Sequence, residues 1–281
     1  MSAALESSDL LPKVPRLPLS EVPEVSAYFK NTLRAMFGED EDKVRSYVQE
    51  ITQTPWTPER MRERLAGIED GEALKSAMRR LRRDVMMNLV ARDISGLANL
   101  EEVVTVMSDL AEIAIDRTVS VYAKELAKRF GVPRSETGVP QDLIVIGMGK
   151  LGGRELNVSS DIDLIFFYDC DGECGPTPEY PTVRKIISNQ EFYERLEKKV
   201  IPPLSEITWE GFVFRVDMRL RPNGESGMLV SSVDSFEKYQ KNEDGTGAWL
   251  WEHQALTRAR YAAGDRDIGD KFEKIRIEIL R

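Results

Sequence analysis

Two cysteines and one histidine are all the thiol and imidazole ligands that 281 residues supply. Cys170 and Cys174 lie near each other, but a zinc site needs further thiol or imidazole ligands and none is close by. His253 has no second histidine at all. The sequence therefore predicts free thiols, a histidine engaged in packing or a supporting hydrogen bond, and a reducing cytoplasm. No apolar run approaches the ~20 residues that span a bilayer. The start, Met1 to Asp9, has neither the basic residues nor the apolar centre of a signal peptide. Positive charge is also short: Lys and Arg number 39 against 48 Asp and Glu, a net charge of −9. Affinity for nucleic acid through released counterions needs clustered Lys and Arg, so bulk nucleic-acid binding is excluded.

What is present is ordinary for a globular chain, with 41% hydrophobic and 31% charged residues. The length allows one large or two modest domains. Residues 1–22, rich in Ser, Pro and Leu, read as an irregular arm. From Glu24 to Arg129 the pattern is helical, with Thr57 and Pro58 forming an N-cap and a first-turn proline. Val103, Val106, Met107, Leu110, Ala114 and Val121 recur at helical spacing, and Gly131-Val132-Pro133 ends that run. Farther on, Asp169 to Pro181 reads as an exposed loop and Asn189 to Leu204 as a helix. Val233 to Lys241 reads as a helix capped by Ser232 and broken by Gly245 and Gly247. Trp249 to Arg260 and Asp267 to Arg281 complete the helical expectations.

The informative stretch lies between. An apolar run, Leu143 to Ile146, breaks into Gly147-Met148-Gly149-Lys150-Leu151-Gly152-Gly153 and re-emerges as Leu164 to Phe167. Such runs bounded by glycine read as buried strands. Asp161 and Asp163 stand at the start of the second. Side chains two apart on a strand point the same way, so two carboxylates aim at one place. Asp217 follows another strand-like run, Phe212 to Val216. Three convergent carboxylates beside a glycine turn suit a hard divalent cation and phosphate oxygens.

Gly-Gly, an Asp-x-Asp pair eight residues on, and a third Asp on a later strand resemble the nucleotidyltransferase superfamily built around the polymerase-β palm. Three longer strings are more specific: GMGKLGGRELNVSSDIDLIF, FRVDMRLRPNGESG and WEHQALTRAR are similar to the bifunctional glutamine synthetase adenylyltransferase/adenylyl-removing enzyme family. That resemblance implies an α+β fold, with a palm over 136–232 between a helical region at 23–135 and a C-terminal helical region at 233–281, cut at a fragment boundary. It implies two Mg²⁺ ions on Asp161, Asp163 and Asp217, and AMP, ADP or ATP as nucleotide. Glutamine synthetase would be the protein substrate and a PII-type signal protein the regulator. Two strings look like the family's N-terminal, AMP-removing half, which uses phosphate and releases ADP. LVSSVDSFEKYQKN and AWLWEHQALTRAR look more like the AMP-attaching half, which uses ATP. A silent nucleotide- or signal-binding module is a third reading.

Around the carboxylates, Gly152 and Gly153 would let backbone amides approach a phosphate, with a helical turn after them adding its positive end. Lys150, Arg154 and Ser160 flank that turn, and Ser159 could serve as well. Arg219 and Arg221 alternate past Asp217, and their guanidinium forks suit phosphate oxygens or, alternatively, structural ion pairs. Trp249 and Trp251 could stack on adenine, but core packing is the expectation.

Overall fold

At least six helices of this chain start where a short polar side chain satisfies one of their first amides. The structure, a computed structural model, describes residues 16–242 and 247–281. A single 3-10 turn at Leu19–Glu21 leads into Val22–Val25 (α1), where the sequence predicts the end of an irregular arm. Residues 1–15 of that arm, and Gly245, lie outside the described residues. Ser26 caps Ala27–Phe37 (α2), accepting from the Phe29 amide at 3.2 Å, and Asp40 caps Glu41–Gln53 (α3). Thr57 accepts from the Arg60 amide at 3.3 Å and Pro58 opens Pro58–Leu65 (α4), as its sequence predicts. Two long helices follow, Gly71–Ile94 (α5) and Leu100–Phe130 (α6).

The helical region expected as one piece divides. Of the described residues, those from 16 to 56 group with Asp84–Val103, while Thr57–Arg83 group with those from 104 to 281. The first group buries Phe29 and Leu33 of α2, Val48 of α3 and Met87 and Ala91 of α5. Arg92 ties it together, donating to Glu102 at 2.7 Å and to the Thr52 carbonyl at 2.7 Å. The division has a length argument behind it. At 24 and 31 residues, α5 and α6 run about 36 and 46 Å, at ~1.5 Å per residue, which exceeds one small core.

The second group is α+β and carries the candidate site. Its sheet runs through Val216–Asp217 (β5), Ile162–Tyr168 (β3), Ile144–Met148 (β2) and Arg260–Gly264 (β7), in that order. Strands β2, β3 and β7 pair antiparallel, while β5 pairs parallel to β3. Val230–Ser232 (β6) also pairs parallel to β3, opposite Phe166 to Tyr168, so β5 and β6 occupy successive stretches of one edge. A separate ribbon joins Val132–Ser135 (β1) to Gly172–Gly175 (β4). Between β2 and β3 lies one helical turn, Gly149–Gly152 (α7).

Both faces of the sheet are covered. On one, Ile144, Ile146, Ile165 and Phe167 pack with residues of Val233–Gln240 (α9), Leu250–Leu256 (α10) and Arg266–Ile279 (α11). Phe167, Phe236 and Phe272 form an aromatic trio with centroids 4.9–5.5 Å apart. On the other, Tyr168 stacks on Tyr193 of Asn189–Ser205 (α8) at 5.0 Å.

Four readings of the sequence are corrected here. Trp249 to Arg260 is not one helix: α10 stops at Leu256, and Arg260 to Gly264 form a strand inside the expected C-terminal helical region. Arg-Tyr-Ala-Ala-Gly has little intrinsic β preference, and pairing along the open edge of β2 decides it. The 169–181 loop contains β4, with Cys174 buried on it, although both cysteines are free as expected. Phe212 to Arg215 is not strand, since the Val213 and Phe214 amides both donate to the Leu204 carbonyl. The helical turn at the glycines precedes Gly153 instead of following it.

If α11 completes the core of the sheet, Phe272→Ala should cost about 3–5 kcal/mol, the usual penalty for emptying a buried aromatic site. Urea unfolding followed by circular dichroism measures it, and a loss below about 1 kcal/mol would contradict the packing.

Candidate active site

The site grows from the way β2 ends. Gly149 takes a positive φ of 55°, which a residue with a side chain adopts only with strain. A Cβ there would also stand 2.9 Å from the Asp163 Oδ2 atom. Past α7 the chain turns again at Arg154, φ 54°, and then at Asn157, whose Oδ1 accepts from the Ser159 amide at 3.0 Å and from Ser160 Oγ at 2.9 Å. That turn delivers Asp161 and Asp163 to the head of β3.

Asp163 lies between two neighbours. It pairs in register with Met148 of β2 on one side and with Asp217 of β5 on the other. Half-buried, its carboxyl is pushed above the usual range, by burial first and then by Asp217 and Asp161, with Arg219 opposing. No described residue donates a hydrogen bond or ion pair to it. Asp161 instead receives the Arg215 Nε, and the same guanidinium donates to the Ser159 carbonyl at 2.9 Å. Asp217 is held by Arg219, through Nε at 3.0 and 2.9 Å and Nη2 at 2.5 Å. Those bonds keep the Asp217 carboxyl below its ordinary range.

Sequence reasoning named these three carboxylates together, and the strand pairing places them on one end of the sheet. Among the described residues they do not form a ready-made metal cluster, because two of the three turn toward arginines. The donor set still fits Mg²⁺. Carboxylate oxygens are the ligands a hard cation takes, and Asp163 is a half-buried anion lacking a cationic partner within bonding distance.

The remaining expected residues fall into different surroundings. Arg221 is buried and spends its fork on three carbonyls, those of Met218 at 2.8 Å, Glu225 at 2.9 Å and Gly227 at 3.2 Å. It shapes the loop after β5 instead of facing a ligand. Arg154 turns to α6, pairing with Asp109 at 2.5 Å and Glu112 at 3.0 Å. Lys150 reaches Ser160 Oγ at 3.4 Å. Gly152 and Gly153 are tight against Arg258: added Cβ atoms would lie 1.7 Å from its carbonyl oxygen and 2.4 Å from its Nη2.

Trp249 and Trp251 do not pack in the core. They are 67% and 45% exposed, and Leu250 between them is 85% exposed. His253 is partly buried with an Nε2 that meets no partner among the described residues. Three residues escaped the sequence reading. Arg215 and Arg258 lie inside the strings similar to the family but were not singled out from them. Glu252 is 3% exposed and accepts from the Asn223 amide at 2.9 Å, Tyr239 Oη at 2.8 Å and the Trp249 amide at 2.8 Å. It thus ties the loop after Asp217 to α9 and α10, and burial, followed by the bond to Glu252, pushes the Tyr239 phenol up to about 12. The one legible hint was its place three residues after Trp249, where a carboxylate caps a helix start.

A small mixed sheet with an Asp-x-Asp pair after a glycine turn and a third strand aspartate defines an α+β domain of nucleotidyltransferase type. Comparison with known proteins agrees. The family described as glutamate-ammonia ligase adenylyltransferase matches residues 19–275, and the chain belongs to that family. A bifunctional glutamine synthetase adenylyltransferase/adenylyl-removing enzyme of Aromatoleum aromaticum is 49% identical over 197 residues, 70% of this chain and 20% of the relative. Proteins of the same description from Thioalkalivibrio sulfidiphilus and Methylococcus capsulatus are 46% identical over 201 residues and 41% over 223, covering 72% and 78% of this chain. The chain spans about a fifth of the length of these curated relatives.

The raised Asp163 carboxyl has a testable consequence. A carboxyl whose folded pKa exceeds its unfolded one stabilises the fold only while protonated, so that contribution is complete below the unfolded value and lost as pH rises through the folded one. Asp163→Asn should therefore raise the thermal midpoint of the metal-free chain at neutral pH, and the gain should fade as pH falls toward about 4, the ordinary carboxylate value. Added Mg²⁺ should stabilise the unaltered chain and not the variant. Thermal unfolding at several pH values measures both.

Proposed function

We propose that this domain removes AMP from adenylylated glutamine synthetase by Mg²⁺-dependent phosphorolysis, as one of two opposed activities in a longer protein. The observation that carries the catalytic part is Asp163, half-buried and uncompensated in register with Asp217. Crowding carboxylates this way is costly unless a cation sits among them, which argues against a silent module. Asp161, Asp163 and Asp217 would hold the metal. Bound there, Mg²⁺ would neutralise charge on the transferring phosphoryl group and on the attacking and leaving oxygens.

The chemistry asked of the chain itself is positioning. An oxygen of inorganic phosphate forms a bond to the AMP phosphorus as the bond from that phosphorus to the tyrosine oxygen breaks. ADP leaves, and the tyrosine oxygen takes up a proton. Asp161 and Asp163, two apart at the head of β3, orient the reacting group from one side, and Asp217 does so from the neighbouring strand. Arg215 and Arg219, now on carboxylates, are long enough to follow charge that arrives nearby. The strings at residues 147–157 and 214–227 support removal as the direction. The segment 248–260 favours the second reading, attachment of AMP from ATP with pyrophosphate released, and both directions would use the same aspartates. Glutamine synthetase as substrate, a PII-type protein as regulator and a cytoplasmic setting complete the proposal. The names of the curated relatives support the first.

A paired product assay tests this. AMP-modified glutamine synthetase with phosphate and Mg²⁺ should yield ADP, and unmodified synthetase with ATP should yield no pyrophosphate. The reverse pattern would establish the attaching activity, and neither product would overturn both. Asp161→Asn and Asp163→Asn should each lower turnover by at least about a hundredfold, since a metal clamp contributes several kcal/mol. Near-normal rates in either variant would refute the metal assignment.

A further inference from the structure

We propose that Arg258 receives the nucleotide's phosphates at the Gly152–Gly153 turn, the place that sequence spacing gives to Arg154. The inference rests on the nucleotidyltransferase reading and adds a residue to it.

Arg154 is spent elsewhere. Its positive φ turns the side chain back onto α6, where Nη1 meets Glu112 and Nη2 meets Asp109. Two carboxylates hold one guanidinium there, and a phosphate would have to displace both. That arrangement also serves the scaffold, because Arg260 of β7 pairs with the same Glu112 and donates to the Gly152 carbonyl at 3.1 Å.

Arg258 takes the vacated position. It stands in the turn between α10 and β7 against both glycines: a Cβ on Gly152 would meet its backbone carbonyl oxygen at 1.7 Å, and one on Gly153 would meet its Nη2 at 2.4 Å and push the guanidinium aside. Its Nε donates to the Gly149 carbonyl at 3.2 Å. Gly149 in turn touches Asp163, because a Cβ on Gly149 would meet that carboxylate at 2.9 Å. One residue therefore separates the Arg258 guanidinium from the central carboxylate of the site.

The glycine pair has thus a second reading. The missing side chain of Gly152 lets the Arg258 backbone pass close, and that of Gly153 leaves the space its guanidinium fills, which brings a charge suited to phosphate onto the turn. Arg258 has donors to give. Nε is used by Gly149 and Nη2 reaches Glu155, leaving Nη1 unused among the described residues. The side chain is nearly half exposed, so the fork is open to a ligand. Glu155 is a more exposed carboxylate that holds the fork in place, and a dianionic phosphate can compete with it.

The geometry is specific about chemistry: a guanidinium fork suits the oxygens of a phosphate chain and gains nothing from a bare nucleoside. Binding of adenosine, AMP, ADP and ATP to the 281-residue chain with Mg²⁺, by titration calorimetry, tests it. Arg258→Gln should weaken ADP and ATP by about tenfold or more, the ordinary worth of a charge-assisted hydrogen bond, and leave adenosine unchanged. Arg258→Lys should restore part of the loss. Glu155→Gln, which removes the competing carboxylate without touching the glycine turn, should tighten ADP. Arg154→Gln should lower the thermal midpoint while keeping the preference for phosphate. The assignment is overturned if Arg258→Gln, shown by circular dichroism to be folded, keeps that preference, or if Arg154→Gln abolishes it. If the unaltered chain binds no adenine nucleotide, the nucleotidyltransferase reading fails and this assignment with it.

Discussion

The second group of this chain is organised around one electrostatic demand, a carboxylate held half out of water with another carboxylate in register beside it. Asp163 cannot move away from Asp217, because hydrogen bonds between β3 and β5 set both backbones. It cannot be shielded from the β2 side either, where Gly149 contributes no side chain. The arginines near it are arranged in answer to that demand. Arg215 and Arg219 neutralise the two more exposed aspartates, while Asp163, in the middle, stays uncompensated. The site is thus built to be short of one positive charge at its centre.

Support for that arrangement comes from elements distant in sequence. α6 supplies Asp109 and Glu112, which anchor the far side of the glycine turn through Arg154 and Arg260. From the C-terminal side come Arg258 against the glycines and Glu252 beneath the loop that follows Asp217. Apart from the exposed Arg258 bond these are partly buried polar contacts, and they fix direction more than they add stability.

The strands β2 and β3, the Asp-x-Asp pair and most helices were legible because each depends on local pattern. Apolar runs, glycine breaks and caps such as Thr57 and Ser232 are readable from neighbours alone. β7 was not, since Arg-Tyr-Ala-Ala-Gly becomes a strand only through the edge β2 leaves open. Arg154 and Arg258 show the same limit at the level of a site. Both are arginines within reach of the glycine turn, and chain distance pointed to the one whose guanidinium is engaged by α6. What separates them is a pair of carboxylates on α6, more than forty residues upstream of Arg154, that sequence spacing could not connect to it. The tryptophans at 249 and 251 were misread for a related reason. Their size suggested burial, but the core beneath α10 is filled by Leu256 and Ala259.

The two short strands that share one edge of β3 bracket a tethered excursion. Residues 218–229 leave the sheet after β5 and rejoin it at β6 along the same line, so the excursion begins and ends on a fixed rail. Between those ends Arg219 returns to Asp217, Arg221 laces the span to its own carbonyls, and the Asn223 amide is held by Glu252. A change anywhere along the span is therefore transmitted to the aspartate it follows, as a touch on a string pinned at both ends reaches its bridge.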